Sequence, residues 1–142
     1  MNDSITSINN WQALARPTPS QADMTIAFAV MLEEFVELMD SMYLSRRSNY
    51  ARQAVHEWSE ALKKQEDSAL IKDRKELCDA IADVIVTAVG VGHCAGMDIP
   101  TALERVDTSN WSKCIDGQFI RNDQGKIIKP ESYVKPNLDG CY

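Results

Sequence analysis

Apolar positions recur at helical spacing through the first 110 or so residues and alternate after that. Ile5, Ile8, Trp11 and Leu14 predict a short helix over residues 4 to 15, started by Ser4 or Thr6. Arg16-Pro-Thr-Pro-Ser20 breaks it. Ser20 is the candidate N-cap of a second helix running to about Tyr43, with Met24, Ala27, Phe28, Met31, Phe35, Leu38 and Met42 toward the core. Ser45 to Asn49 reads as a polar turn. A third helix, about Tyr50 to Gln65, places Ala54, Val55, Trp58 and Leu62 on one side and Lys63 and Lys64 near its C-terminus, where cations suit the helix dipole.

Asp67 or Ser68 is the expected cap of a fourth helix that stops near Gly96. Its Val89-Gly-Val-Gly92 segment is low in helix propensity, so the prediction rests on the long apolar pattern; close packing against another helix would account for the small residues. Asp98 and Pro100 open a last helix, through Leu103 and Val106, to about Asn110. Beyond Trp111 the period becomes two. Phe119-Ile-Arg and Lys126-Ile-Ile-Lys flank Asn122-Asp-Gln-Gly125, which predicts a β-hairpin. The tail from Pro130 to Tyr142 is expected to be extended, with a partner subunit as one surface to lie on. The expected fold class is all-α: a helical bundle with a small C-terminal β-hairpin, one domain over residues 1–142.

Two of these helices carry carboxylates where the core pattern calls for more Leu or Ile. Glu33 and Glu37 stand four residues apart, as do Asp79 and Asp83, and like charges at that spacing destabilise a helix by roughly 0.2–0.5 kcal/mol per pair. No Lys or Arg lies within one turn of Glu37 or Asp83, so neither column reads as a salt-bridged surface. Helical geometry gathers Glu33, Glu34 and Glu37, with Asp40 at the edge, into one cluster and Glu76, Asp79 and Asp83 into another. Antiparallel packing of the two helices would let the columns face each other. Carboxylates converging in a partly buried space need a cation, and all-oxygen donors favour Mg²⁺ or Mn²⁺, the usual partners of phosphate. The competing reading is that these acids lie on solvated helix faces.

Composition narrows the classes. A charged fraction of 25% and a hydrophobic fraction of 44% are ordinary for a folded soluble domain. The net charge of −6 argues against broad binding to nucleic acid. The N-terminus, Met1-Asn-Asp-Ser-Ile-Thr-Ser, lacks the pattern of a signal peptide, and no uninterrupted apolar run reaches the roughly 18–20 residues of a membrane span, so no membrane partner is expected. Cys78, Cys94, Cys114 and Cys141 show no Cys-x-x-Cys spacing and read as small buried hydrophobes in a reducing compartment. His56 and His93 are isolated, which disfavours zinc, and the Glu-x-x-His pairs of a di-iron bundle are missing.

Glu33-Glu-Phe-Val-Glu37, Glu76-Leu-Cys-Asp79 with Asp83 after it, Ser109-Asn-Trp-Ser-Lys113 and Tyr133-Val-Lys-Pro136 occur in that order. In this the chain resembles the all-α nucleoside triphosphate pyrophosphohydrolases, in particular small MazG-like or phosphoribosyl-ATP pyrophosphohydrolase-like proteins of bacteria and their viruses. The likeness spans about residues 20 to 138. It differs in the longer stretch between Glu37 and Glu76 and in the register of the second acidic motif, which fits either Glu76 with Asp79 or Asp83 with Asp79 close behind it. The resemblance implies hydrolysis of a nucleoside triphosphate to the monophosphate and pyrophosphate in the cytoplasm. Glu33, Glu37, Glu76, Asp79 and Asp83 would be metal ligands for Mg²⁺ or Mn²⁺, and Glu34 the general base. Asn110 and Lys113, assisted by Lys129, would hold phosphate oxygens. It also implies a homodimer or homotetramer in which subunits complete four-helix cores. Trp58 is a candidate for stacking on the base, and the alternative for it is a place in the core. Asn110 could equally be a helix C-cap, and Lys113 and Lys129 solvated loop charges.

Overall fold

The computed structural model describes residues 3–123 and 126–142, so Met1 and Asn2, and Gln124 and Gly125 of the expected hairpin loop, lie outside the described residues. Helices α1 (Ser4–Ala15), α2 (Gln21–Asp40), α3 (Arg46–Lys63), α4 (Arg74–Cys94) and α5 (Ile99–Trp111) precede two short strands, β1 (Cys114–Ile115) and β2 (Gln118–Phe119). They fall into two compact units. One is the segment Thr18–Asp73; the other combines Met1–Pro17 with Arg74–Tyr142.

The Thr18–Asp73 unit is the α2–α3 hairpin. Ser20 opens α2 through a capping box: its hydroxyl accepts from the Asp23 N–H at 3.1 Å, and its own N–H donates back to Asp23 Oδ2 at 2.7 Å. Ser45 caps α3 by accepting from the Ser48 N–H, so the stretch expected as a turn is already helical from Arg46. The helices run antiparallel, with Arg52 bonded to Asp40 near the connecting loop and the buried Ser59 hydroxyl donating to the Ala29 carbonyl at 2.7 Å farther along. Ala29, Leu32 and Leu62 form the core, flanked by Phe28, Val55 and Ala69. The buried stripe of α2 is Thr25, Ala29, Leu32 and Val36. This corrects the expected face, which lies roughly a third of a turn away at 100° per residue. Ala27, Leu38 and Met42 of that face are exposed, because the small Ala29 and Ser59 allow the two backbones to approach along the other stripe.

In the other unit, α1 lies on α5. The Trp11 indole donates to the Asn110 carbonyl at 3.0 Å and the Trp111 indole to Ser7 Oγ at 2.9 Å, while the Trp11 ring meets Phe119 at 4.9 Å. Asp98 caps α5, accepting from the Thr101 N–H at 3.1 Å. These bonds to the Thr101 side chain and backbone hold the Asp98 pKa below the ordinary carboxylate value. Gly96, at φ +76°, ends the α4 region in the left-handed conformation that favours glycine. Gly92 packs so closely on Ile99 that a Cβ would collide with that side chain, which accounts for one of the small residues read from the sequence.

Helix α4 starts at Arg74, not after a cap at Asp67 or Ser68. The Asp67 carboxylate instead accepts from the Trp58 indole and the Ser68 N–H, and residues 67–73 form a connection. Every residue from Cys78 to Val91 is exposed, and Gly92 is the one buried position of the helix. Cys78 and Cys94 are therefore exposed rather than buried, and Cys141 is the buried thiol; all four cysteines are free. By length and composition α4 is apolar enough to cross a bilayer, although it carries Asp79 and Asp83, charges that are costly in hydrocarbon.

The C-terminal pairing begins earlier than expected. β1 and β2 are antiparallel, Cys114 opposite Phe119, around Asp116 and Gly117, both with positive φ as a two-residue hairpin turn requires. The predicted strands meet farther on, through Ile128 N–H to Ile120 O at 2.9 Å and a bridge between Arg121 and Ile127. The tail lies on its own α5: Ser109 Oγ donates to Val134 O at 2.6 Å, the Val134 N–H to Ser112 Oγ at 2.8 Å, and Arg105 Nη1 to the carbonyls of Asn137 and Asp139.

Candidate functional site

The first acidic column lies along the second half of α2. Glu33 is half-buried, whereas Glu34 and Glu37 are exposed. Cations reach this column from α3, a tertiary contact that the lack of Lys or Arg nearby in α2 did not predict. Lys63 Nζ lies 2.9 Å from Glu33 Oε2 and 3.2 Å from Glu60 Oε1. Burial by itself would lower the Lys63 pKa, but the hydrogen bonds it donates to Glu33 and Glu60 outweigh it and the net shift is upward. Arg52 grips Asp40 with two bonds of 2.9 and 2.8 Å, holding the Asp40 pKa below the ordinary carboxylate value. Glu33 and Asp40 thus have protein counter-charges.

The second column, Glu76, Asp79 and Asp83, is exposed along α4. The two columns belong to different units, and within neither unit, among the described residues, do three His, Cys, Asp or Glu side chains converge as a metal-binding group.

The residues expected at phosphate do meet. Asn110, in the last turn of α5, accepts a 2.9 Å bond at Oδ1 from Lys113 Nζ. It is not the C-cap, since α5 continues to Trp111 and Ser112 takes that role. Lys113 and Lys129 both approach the ring of Tyr133, with Nζ 5.7 and 4.9 Å from its centroid. The neighbouring Ser109 hydroxyl, then Lys129, Lys113 and Lys135, hold the Tyr133 phenol below the usual tyrosine range. Sequence reading found Tyr133 as part of the tail motif and gave it no role; the signal available was an aromatic residue lying between Lys129 and Lys135.

Trp58 belongs to the α2–α3 unit. It packs edge-on against Phe28 at 5.3 Å, bonds Asp67 through its indole, and is 43% exposed, so part of the ring remains open for stacking. A cleft of about 810 Å³ between α5 and the tail is lined by Arg105, Ser109, Val134 and Asn137 among others, and contains none of the residues predicted for the site.

No protein-family model, no curated protein and no solved structure matches the chain.

Proposed function

We propose that the chain is a Mg²⁺-dependent pyrophosphohydrolase of nucleoside triphosphates, with the MazG-like organisation that its motifs resemble. The observation that carries this reading is the meeting of Asn110, Lys113 and Lys129, the residues assigned to phosphate, in a chain of net charge −6. A cationic group in such a chain would draw an anionic ligand locally.

The donor set of the acidic columns consists of carboxylate oxygens, which suits Mg²⁺ or Mn²⁺. Glu33, Glu37, Glu76, Asp79 and Asp83 would hold the ions, with Glu33 exchanging Lys63 for metal. Bound there, Mg²⁺ supplies neutralisation of triphosphate charge and a lowered pKa for water. Glu34 acts as general base. It accepts a proton from the attacking water as the water oxygen bonds to phosphorus and the anhydride bond between the first and second phosphates breaks, so that pyrophosphate leaves. Asn110, Lys113 and Lys129 orient the phosphate oxygens, and the open part of the Trp58 ring is offered to the base.

A homo-oligomer is part of the same proposal. Ile85, Val86 and Val89 are exposed on α4, Val86 at 68%, and a second copy would bury them. Pyrophosphate release from a panel of ribo- and deoxynucleoside triphosphates, with Mg²⁺, Mn²⁺ or EDTA, tests the reading. Metal-dependent release that drops at least a hundredfold in Glu37→Gln is expected. Absence of release across the panel from folded protein would overturn it.

A further inference from the structure

Lys113 precedes the C-terminal hairpin and Lys129 follows it, yet one ring, that of Tyr133, receives both ammonium groups, at 5.7 and 4.9 Å from its centroid. The negative face of an aromatic ring attracts ammonium groups without neutralising them, so both lysines keep their charge for an incoming ligand. The ring is itself held. On one side, Val134 is bonded to Ser109 and Ser112 of the α5 end through its carbonyl and its N–H, and farther along Arg105 clamps the carbonyls of Asn137 and Asp139. Lys113 is further oriented by Asn110, and Lys135 adds a third positive charge near the phenol.

We infer that Tyr133 is a positioning residue whose ring gathers Lys113 and Lys129 into one binding site for a diphosphate group, with the tail as the strap that fixes the ring. The inference takes the identity of the anion from the pyrophosphohydrolase reading, and it assigns the site to the terminal two phosphates of the substrate and to the pyrophosphate product. A carboxylate in place of the ring would neutralise the lysines, and an aliphatic side chain would leave them unplaced.

Calorimetric titration of inorganic pyrophosphate into the full chain, in the presence of Mg²⁺, reads this without any turnover. Tyr133→Phe keeps the ring and should bind within about twofold of the unchanged protein. Tyr133→Leu and Tyr133→Gln should each weaken binding roughly five- to tenfold, the loss expected of two partly exposed cation–π contacts. The Lys113→Ala change should then weaken binding less in the Leu background than in the native one. With nucleotide as substrate the Leu change should raise KM and leave kcat within about twofold. Two independent replacements keep the test usable if one of them unfolds, and circular dichroism identifies which variants are folded. Unchanged pyrophosphate affinity in a folded Leu or Gln variant overturns the role of Tyr133, as does an equal loss in Tyr133→Phe. Should no nucleotide be hydrolysed while pyrophosphate binding follows the Phe-against-Leu pattern, the enzymatic reading falls and the anion site stands.

Discussion

Helices α2 and α4 are nearly equal in length, 20 and 21 residues, and both set carboxylates into an apolar pattern, yet they end in opposite circumstances. α2 buries Thr25, Ala29, Leu32 and Val36 against α3, and α3 also returns Lys63 and Arg52 to its acidic edge. α4 buries Gly92 and leaves its Val and Ile residues exposed. An apolar pattern therefore states that a face calls for cover, and is silent on what supplies it. For α2 the cover is the next helix in the chain; for α4 the proposed cover is a second copy.

The covered side breaks most easily at Leu62, fully buried between Ala29 and Leu32. Leu62→Ala should lower the unfolding free energy by about 3 kcal/mol, read from urea denaturation. At the C-terminal end of α4, Gly92→Ala should cost about 1–3 kcal/mol by forcing Ile99 aside, an overpacking effect visible in the same experiment. On the exposed side, Val86→Asp should reduce the molar mass measured by light scattering to that of one chain. A single-chain mass already in the unchanged protein would sink the proposed pairing through α4.

The smallest effect concerns the pairs on the acidic edge of α2. The Asp40 pKa is lowered on folding, first by its hydrogen bonds with Arg52, so the pair stabilises the fold above the ordinary carboxylate range and this contribution is lost as the pH falls through the lowered value. Asp40→Asn should accordingly flatten the acid limb of the melting temperature against pH and change little near neutrality. An unaltered acid limb would mean that this exposed pair contributes nothing.

Local signals were legible at Ser20, Asp98 and Gly96, but not at Ser45, which caps α3, or at Asp67 and Ser68, which do not cap α4. Ser20 and Asp98 cap the helices they were expected to cap, and the Gly96 stop lies where the apolar pattern ends. Pairings between segments were not legible. Which stripe of α2 is buried depends on Ser59 and Ala29 letting two backbones meet, and the Glu33–Lys63 contact joins residues whose separation carries no periodic signal. The Asp116-Gly117 turn was within reach, since such a dipeptide is a strong hairpin signal; the longer apolar alternation around residues 119–129 drew the expected turn downstream. Of the candidate site, Asn110 and Lys113 were named together by the Ser109-Asn-Trp-Ser-Lys113 motif of the resemblance, whereas the approach of two lysines to Tyr133 requires the tail to fold back on α5.

The indole bonds that join α1 to α5 span 99 and 104 positions, whereas the hairpin of α2 and α3 is closed by contacts spanning 12 and 30. During synthesis from the N-terminus, α1 thus has to wait for α5, while the hairpin made between them can close at once. Trp11 is made before the hairpin and seated after it, so the order of assembly differs from the order of the chain.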